Sequence, residues 1–254
     1  MNTEDIIKYS KRNRNSIYNP ADREEFVCLE INISCESQWM KRVCSYAPKV
    51  LSNLNVRQAN SSEERELNIV EIDNLSGLIA EYACEEILNW RYGKKLIVKP
   101  ENNTSHNQID LKLYNGKTIE VRSSCVRNGI DFAIFAQNKH VEGEQYFDVI
   151  GPYSNGYKKT ELLKDYYMRV LYECDKRNFL NLLEGTTLRL YVTGGATKTM
   201  MNDIDYYQIK HLTPAGGQVR IESDYRVIPL ARSLDINRFF KVLEKENDKL
   251  VVIH

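Results

Sequence analysis

Two carboxylates and an arginine that could act together lie within one short stretch, residues 107–124, which reads NQIDLKLYNGKTIEVRSS. Apolar and polar residues alternate on both sides of a central Asn-Gly pair, and the polar positions include Asp110, Glu120 and Arg122. Such alternation is typical of strands that bury one face. The stretch is therefore predicted to form a hairpin that carries two carboxylates and a cation on polar positions.

The register of this hairpin decides whether the two carboxylates meet. A two-residue turn would place Asp110 opposite Val121 and put the two polar sets on opposite faces. A three-residue loop over residues 114–116, with Gly116 left-handed, instead places Asp110 opposite Glu120, with Cβ atoms about 5 Å apart. We favour the three-residue loop, because a slip of one residue would expose a whole apolar row.

The predicted pair of carboxylates is suited to holding a metal ion. Two carboxylates at that separation repel each other, and one tends to keep its proton unless a cation lies between them. A divalent ion that prefers oxygen ligands removes the repulsion, and Mg²⁺ is the common choice. Arg122 stands two residues after Glu120 and returns a positive charge to the same face, where it can stabilise a phosphate beside the metal.

Asp110 followed by Glu120-Val121-Arg122, on a hairpin after a helix, resembles the PD-(D/E)XK nuclease superfamily of the type II restriction-endonuclease-like kind. The resemblance implies an α/β fold with a mixed central sheet flanked by helices. It also implies hydrolysis of DNA phosphodiester bonds that depends on Mg²⁺, for which Mn²⁺ can substitute. Carried over, Asp110, Glu120 and the carbonyl of Val121 bind the metal, and Arg122 occupies the lysine position. Glu81, on the preceding helix, is the candidate for a further acidic residue of the site.

The sequence departs from the family pattern at two positions. Ile109 stands where the motif name has proline, which matters little. Arg122 replaces lysine, and arginine stays charged, so it cannot be the general base for the attacking water but can be an electrostatic clamp. Two alternatives stay open: a catalytically weak or inactive nuclease-like DNA-binding module, and a structure-specific repair or recombination nuclease. The interpretation without a function is that Asp110, Glu120 and Arg122 lie on a solvent-exposed hairpin face with a surface ion pair, and that Glu81 lies on the solvent-exposed side of its helix.

Further polar residues are candidates for contact with DNA. Directly after the motif come Ser123, Ser124 and Arg127. Asn138 and Lys139 follow the apolar run at 130–136, and Tyr157 and Lys158 lie in a loop that mixes aromatic and basic residues. The alternative interpretation is polar turns and a loop anchored by buried rings. Residues 194–198, GGATK, lack the spacing of a P-loop and are predicted to form a tight strand-to-helix turn, with a backbone anion site as the alternative.

The remaining periodicity predicts interspersed helices and strands, and so an α/β class with a mixed sheet. Strands are predicted at 26–33, 95–99, 130–136, 147–153, 188–193, 219–222 and 225–230. Helices are predicted at 38–54, 76–91, 161–174, 197–204 and 236–246, the last capped by Asp235. The first 20 residues, rich in cations, are expected to be a solvated arm or a first helix, or an arm that grips phosphates.

Composition narrows the class of protein. The 254 residues carry 35 basic and 35 acidic side chains, which excludes a histone-like polycation or an acidic tail protein. No apolar run approaches the ~20 residues of a membrane span, and no signal-peptide pattern is present, so a cytoplasmic protein without a membrane partner is expected. The six cysteines show no Cys-x-x-Cys spacing and are expected to be reduced small hydrophobes, and the four dispersed histidines argue against zinc.

The length favours one compact domain, organised as an N-terminal strand and helix extension over 1–75 and a nuclease-like core over 76–254. The C-terminal part of that core leaves room for recognition and dimerisation elements. The expected partner is double-stranded DNA. A homodimer about a two-fold axis would cut both strands of a palindromic site.

Overall fold

The structure is a computed structural model that describes residues 7–16, 19, 21–51, 67–93, 96–98, 110–135, 147–154, 161–185, 187–212, 223–247, 250 and 252. The strands are β1 (Ile7–Asn15), β2 (Arg23–Ser34), β3 (Ile97–Val98), β4 (Leu111–Leu113), β5 (Thr118–Cys125), β6 (Val149–Ser154), β7 (Tyr166–Tyr172), β8 (Thr187–Thr197), β9 (Gln208–Leu212) and β10 (Ser223–Ile228). The helices are α1 (Gln38–Leu51), α2 (Leu67–Tyr92), α3 (Ile130–Phe135), α4 (Phe179–Leu183), α5 (Lys198–Asn202) and α6 (Ile236–Glu246).

The fold is mixed α/β, as predicted, with a large mixed sheet flanked by helices. Its strand order is β1-β2-β8-β7-β5-β4-β3, and strands from both sides of residue 75 join it. The β5–β7 pair is parallel and the other neighbours are antiparallel. A second antiparallel sheet has the order β6-β10-β9.

Apolar side chains cover both faces of the large sheet. In β2, Val27 and Leu29 pack in one core with α1, α2, α4 and α6, whereas Phe26 and Cys28 pack in another with α3. Residues 26–29 of β2 form a continuous apolar run, as expected where a strand is covered on both faces. The smaller sheet packs with α5 in a third cluster that includes Tyr167 of β7.

Several predicted elements are confirmed. The structure places β2, β6, β8, β10 and α6 where periodicity predicted them, and the Asp235 carboxylate accepts the N–H of Arg238 at 2.8 Å as the predicted cap of α6. Helix α2 begins nearer the N-terminus than predicted, at Leu67. The strand predicted at 219–222 lies outside the described residues. No helix among the described residues is both long enough and apolar enough to cross a membrane.

Two predicted elements were wrong, each for its own reason. The helix predicted at 161–174 is instead strand β7, in which all seven residues are buried. With both faces apolar, the period of two disappears from the sequence. The strand predicted at 130–136 is instead helix α3, whose buried residues Ile130, Ala133 and Ile134 have helical spacing.

The prediction for the first 20 residues was also wrong, because residues 7–15 form edge strand β1, antiparallel to β2. The expected phosphate-gripping cations contact carboxylates of this chain instead. Lys11 pairs with Glu25 at 3.0 Å, and Arg12 pairs with Asp131 at 3.0 Å. Pairing with the neighbouring strand β2 and packing against it override the local preference of this segment, as is common for strands.

Candidate functional site

The β4–β5 hairpin adopts the predicted three-residue loop. Leu111 pairs with Ile119, and the N–H of Leu113 donates to the carbonyl of Lys117 at 2.8 Å. Gly116 has φ of 87°, the left-handed conformation that such a loop requires of its glycine. The register prediction is therefore confirmed, and the apolar positions of both strands face the same core.

This register places Asp110 opposite Glu120, on the face away from that core. β4 begins one residue after Asp110, so the backbone ladder with β5 stops there. Beyond that point a side chain replaces the backbone acceptor: Oδ2 of Asp110 accepts a hydrogen bond from the N–H of Val121 at 2.7 Å. The hydrogen bond fixes the Asp110 carboxylate beside the segment that carries Glu120 and Arg122.

Glu120 is only 6% exposed and contacts Arg122, whose Nη2 lies 2.5 Å from its Oε1. The other oxygen, Oε2, is buried and has no hydrogen-bond partner among the described residues. An unsatisfied buried polar atom costs about 1–3 kcal/mol, and more when charged. A cation beside Oε2 would remove that cost, so the carboxylate fits a metal ion.

Two charged residues that sequence reasoning missed complete the cluster. The carboxylate of Glu161 lies 3.8 Å from Nη2 of Arg122, and its N–H donates to the carbonyl of Tyr153 at 3.0 Å. Lys164 is 6% exposed, and its N–H donates to Oη of Tyr167 at 2.8 Å. The wrongly predicted helix over 161–174 hid both residues; the available signal was the mostly apolar and aromatic stretch 166–172, which only Arg169 interrupts.

Burial, and to a smaller extent the charge of Glu120, raise the pKa of Asp110 to about 7, whereas Arg122 and the Val121 N–H oppose the shift. Burial also raises the pKa of Glu81 on α2, where the charges of Asp110 and Glu120 act in the same direction. The charges of Glu81, Asp110 and Glu120 thus act on one another, and Glu81 remains the candidate for a further acidic residue of the site.

The cluster carries an excess of negative charge. Burial raises the pKa of Glu161 as well, with Arg122 and Lys164 opposing. Four carboxyl groups, from Glu81, Asp110, Glu120 and Glu161, thus face two cations. Full ionisation leaves two negative charges, which a divalent cation would balance.

The ligands that the cluster can offer to a metal are few. Among the described residues, no three Asp, Glu, His or Cys side chains are gathered in positions that could hold a metal together. The site brings together the two carboxylates of Asp110 and Glu120, whose oxygens are of the kind that Mg²⁺ prefers as ligands.

The smaller sheet borders the cluster. Tyr225 of β10 stacks on Tyr153 of β6, with ring centroids 5.1 Å apart. Burial raises the pKa of Tyr225, and the nearby charge of Arg122 opposes the shift. An aromatic pair thus lies beside the cation of the cluster.

The other predicted DNA-contacting residues have mixed positions. Ser123 and Ser124 are half-buried on β5, and the Oγ of Ser124 accepts a hydrogen bond from Nη2 of the buried Arg169 at 2.7 Å. Arg127 is exposed just beyond the strand. The remaining candidates lie outside the described residues: Asn138, Lys139, Tyr157 and Lys158.

Comparison with known proteins leaves the family open. No family model matches the chain, and no solved structure matches it. The chain is 29% identical over 123 residues to "Uncharacterized protein MJECS01" of Methanocaldococcus jannaschii, a match that covers 44% of this chain and 40% of that protein. The chain thus matches less than half of that relative, whose description names no activity.

The raised carboxyl pKa values predict how stability depends on pH. In the unfolded chain Asp110 returns to its ordinary pKa of 3.8, so its stabilising contribution is complete below that pH and is lost as pH rises through about 7. Without metal, the protein is expected to have a lower free energy of unfolding at pH 8 than at pH 5.

Urea unfolding in EDTA at the two pH values measures this difference, and Asp110→Asn is expected to reduce it. Added Mg²⁺ should restore stability at pH 8, because a ligand that binds only the folded state stabilises it. An identical pH dependence in the wild type and in Asp110→Asn would contradict the assigned shift.

Proposed function

We propose that the chain is a Mg²⁺-dependent endonuclease that hydrolyses DNA phosphodiester bonds, with a restriction-endonuclease-like fold. One observation carries the proposal: Asp110 and Glu120 stand opposite each other on the hairpin, and Glu120 Oε2 is buried without a hydrogen-bond partner among the described residues. A mixed sheet with helices on both faces supports the same assignment, because the family resemblance implies that architecture.

The residues of the cluster divide into ligands and charge-balancing groups. When bound, Mg²⁺ or Mn²⁺ stabilises negative charge on the phosphate and makes water more acidic. The Val121 N–H orients Asp110, and Arg122 orients Glu120, so both carboxylates are held before any ligand arrives. Such preorganisation is what electrostatic stabilisation of a transition state requires.

Two cations share the role that the family resemblance gives to one lysine. Arg122 remains charged and lies between Glu120 and Glu161, which suits it to balance charge around the phosphate. We assign the second position to Lys164, whose charge acts on both Asp110 and Glu161. An ammonium is a compact donor of three hydrogen bonds and is suited to orienting a water beside the carboxylates.

The proposed activity is tested with supercoiled plasmid DNA. Incubation with Mg²⁺ or Mn²⁺ is expected to yield discrete linear fragments, and excess EDTA is expected to stop the reaction. Full cleavage in excess EDTA would overturn the metal-dependent mechanism. A smear in place of discrete fragments would favour a repair or recombination nuclease that reads DNA structure.

A DNA-binding module that does not cut is the second candidate function, and the Arg122–Glu120 ion pair favours it. One oxygen of Glu120 is already engaged by the guanidinium. Gel-shift binding to duplex DNA without cleavage in Mg²⁺ or Mn²⁺ would identify this function. Sedimentation with and without duplex DNA tests the proposed homodimer, since two copies about a two-fold axis present two sites to the two strands.

Arg122→Ala is expected to lower single-turnover cleavage by about 10²–10³-fold, the loss typical of one preorganised stabilising group. Arg122→Lys is expected to retain measurable cleavage, because lysine preserves the charge. The measurement is plasmid cleavage at equal Mg²⁺. Lys11→Ala is the matched control, since Lys11 is an exposed cation paired with Glu25 on the edge strands. Equal rates for the wild type and Arg122→Ala would make Arg122 a surface residue without a role in the reaction.

A further inference from the structure

Two cysteines come together where the parallel strands β5 and β7 end. Cys125 is the last residue of β5 and stands in register with Tyr172, the last residue of β7. Cys174 lies two residues further, but its N–H donates back to the carbonyl of Tyr172 at 2.9 Å. The same carbonyl accepts the N–H of Val126 at 2.7 Å. The chain therefore turns back at residue 174, which leaves the two cysteines side by side.

The side chains of this pair are in contact and partly accessible. The thiols of Cys125 and Cys174 are close enough to shift each other's pKa, upward for Cys125 and downward for Cys174, and all cysteines in the described residues are free. Both residues are partly exposed, in contrast to the buried Cys28 and Cys84. The interaction with Cys125 lowers the pKa of Cys174, against the opposing effect of burial. Reactive thiols are those that combine accessibility with thiolate character.

We propose that Cys125 and Cys174 form a reversible disulfide when the protein meets a low-molecular-weight disulfide such as oxidised glutathione. The thiolate of Cys174 attacks one sulfur of the oxidant, which breaks its S–S bond and releases the first glutathione. Cys125 then loses its proton and attacks the Cys174 sulfur, releasing the second glutathione. The two protein thiols lose two electrons and two protons, and the oxidant gains both as two thiols.

The bond would join the strand that carries the carboxylate cluster to its parallel neighbour. Cys125 lies three residues beyond Arg122, and Cys174 follows β7. Parallel strands are joined by long connections and not by tight turns. A disulfide between their ends would therefore reduce the conformational freedom of the long connecting segment, above all in the unfolded chain. This inference does not depend on the proposed nuclease activity, because it concerns only the two thiols.

The test is a peptide map of the full chain after incubation in reduced or oxidised glutathione, alkylation and trypsin digestion. Cleavage at Arg and Lys isolates each cysteine in its own peptide, 123–127 and 170–176. In oxidised glutathione, we expect these peptides to appear joined, with a mass two hydrogens below their sum, and to separate after dithiothreitol. The cysteines outside these two peptides should remain fully alkylated.

Matched variants control the assignment. Cys44→Ser removes another partly exposed cysteine and is expected to leave the joined peptide unchanged. Cys125→Ser is expected to stop the reaction at a glutathione adduct on Cys174. Separate alkylated peptides 123–127 and 170–176 from the oxidised wild type, or a stable glutathione adduct on either one, would overturn the proposal. The wild-type map decides the matter even if a variant fails to fold.

Discussion

Asp110→Asn is expected to abolish metal-dependent DNA cleavage, with a loss of at least about 10²–10³-fold. The amide oxygen of asparagine can still accept the Val121 N–H, so the hairpin geometry is preserved. The negative charge is lost, however, and with it one ligand for the cation. Because burial raises the pKa of Asp110 to about 7, removing its charge is also expected to stabilise the metal-free protein at pH 8.

The prediction is checked by single-turnover cleavage, duplex DNA binding in EDTA and urea unfolding. A stable variant that binds DNA and does not cleave it is the expected result. Glu25→Gln, which neutralises an exposed carboxylate on β2, is the matched control and should cleave at the wild-type rate. Cleavage by Asp110→Asn at the wild-type rate would remove Asp110 from the site.

Gly195→Ala is expected to destabilise the protein by more than about 4 kcal/mol, the upper range for single substitutions. A Cβ atom at Gly195 would lie 1.7 Å from the carbonyl oxygen of Tyr167. Backbone atoms surround this position on both sides, since Gly195 also exchanges two 2.9 Å hydrogen bonds with Leu234. Relief would require the β7–β8 pairing to separate, because no flexible side chain can move aside.

Urea unfolding measures this loss, or the yield of folded protein if the variant does not accumulate. Gly77→Ala is the matched control. Gly77 lies in helix α2 with nothing within 4 Å of its added Cβ, so alanine should stabilise the helix by about 0.5–1 kcal/mol. Wild-type stability of Gly195→Ala would mean that the close approach of β7 and β8 is not maintained in solution.

The same glycines show where sequence reasoning failed for a physical reason. Residues 194–195 were predicted to form a strand-to-helix turn, yet both lie within β8. The pairing of β7 with β8 shifts register between Arg169 and Val170, which is a bulge. Gly194 has φ of 99° there, next to the backbone of Leu234. Glycine is required at position 194 because the backbone of Leu234 and Asp235 lies against it, and no local sequence pattern predicts where that distant segment lies.

The hairpin was predictable because its determinants are local. Alternation fixed the faces, and the position of Gly116 fixed the loop length, so the Asp110–Glu120 juxtaposition followed from a dozen neighbouring residues. Glu161 and Lys164 were missed because their contact with the hairpin depends on the parallel β5–β7 pairing. That pairing joins segments separated by α3 and β6, and the fully buried β7 has no amphipathic period from which it could be inferred.

The order of strands in the large sheet also constrains how the chain reaches its folded state. The β1–β2 hairpin forms from neighbouring residues, but its partner in the sheet is β8, with Leu29 paired to Val192. Contacts between such distant segments slow folding, because closing a long loop precedes the gain from pairing. During synthesis, the backbone groups on one edge of β2 remain unpaired until β8 has been synthesised. An unpaired strand edge of this kind can pair with other chains and cause aggregation. The protein is thus expected to fold late and slowly, and to need low concentration or chaperones when refolded.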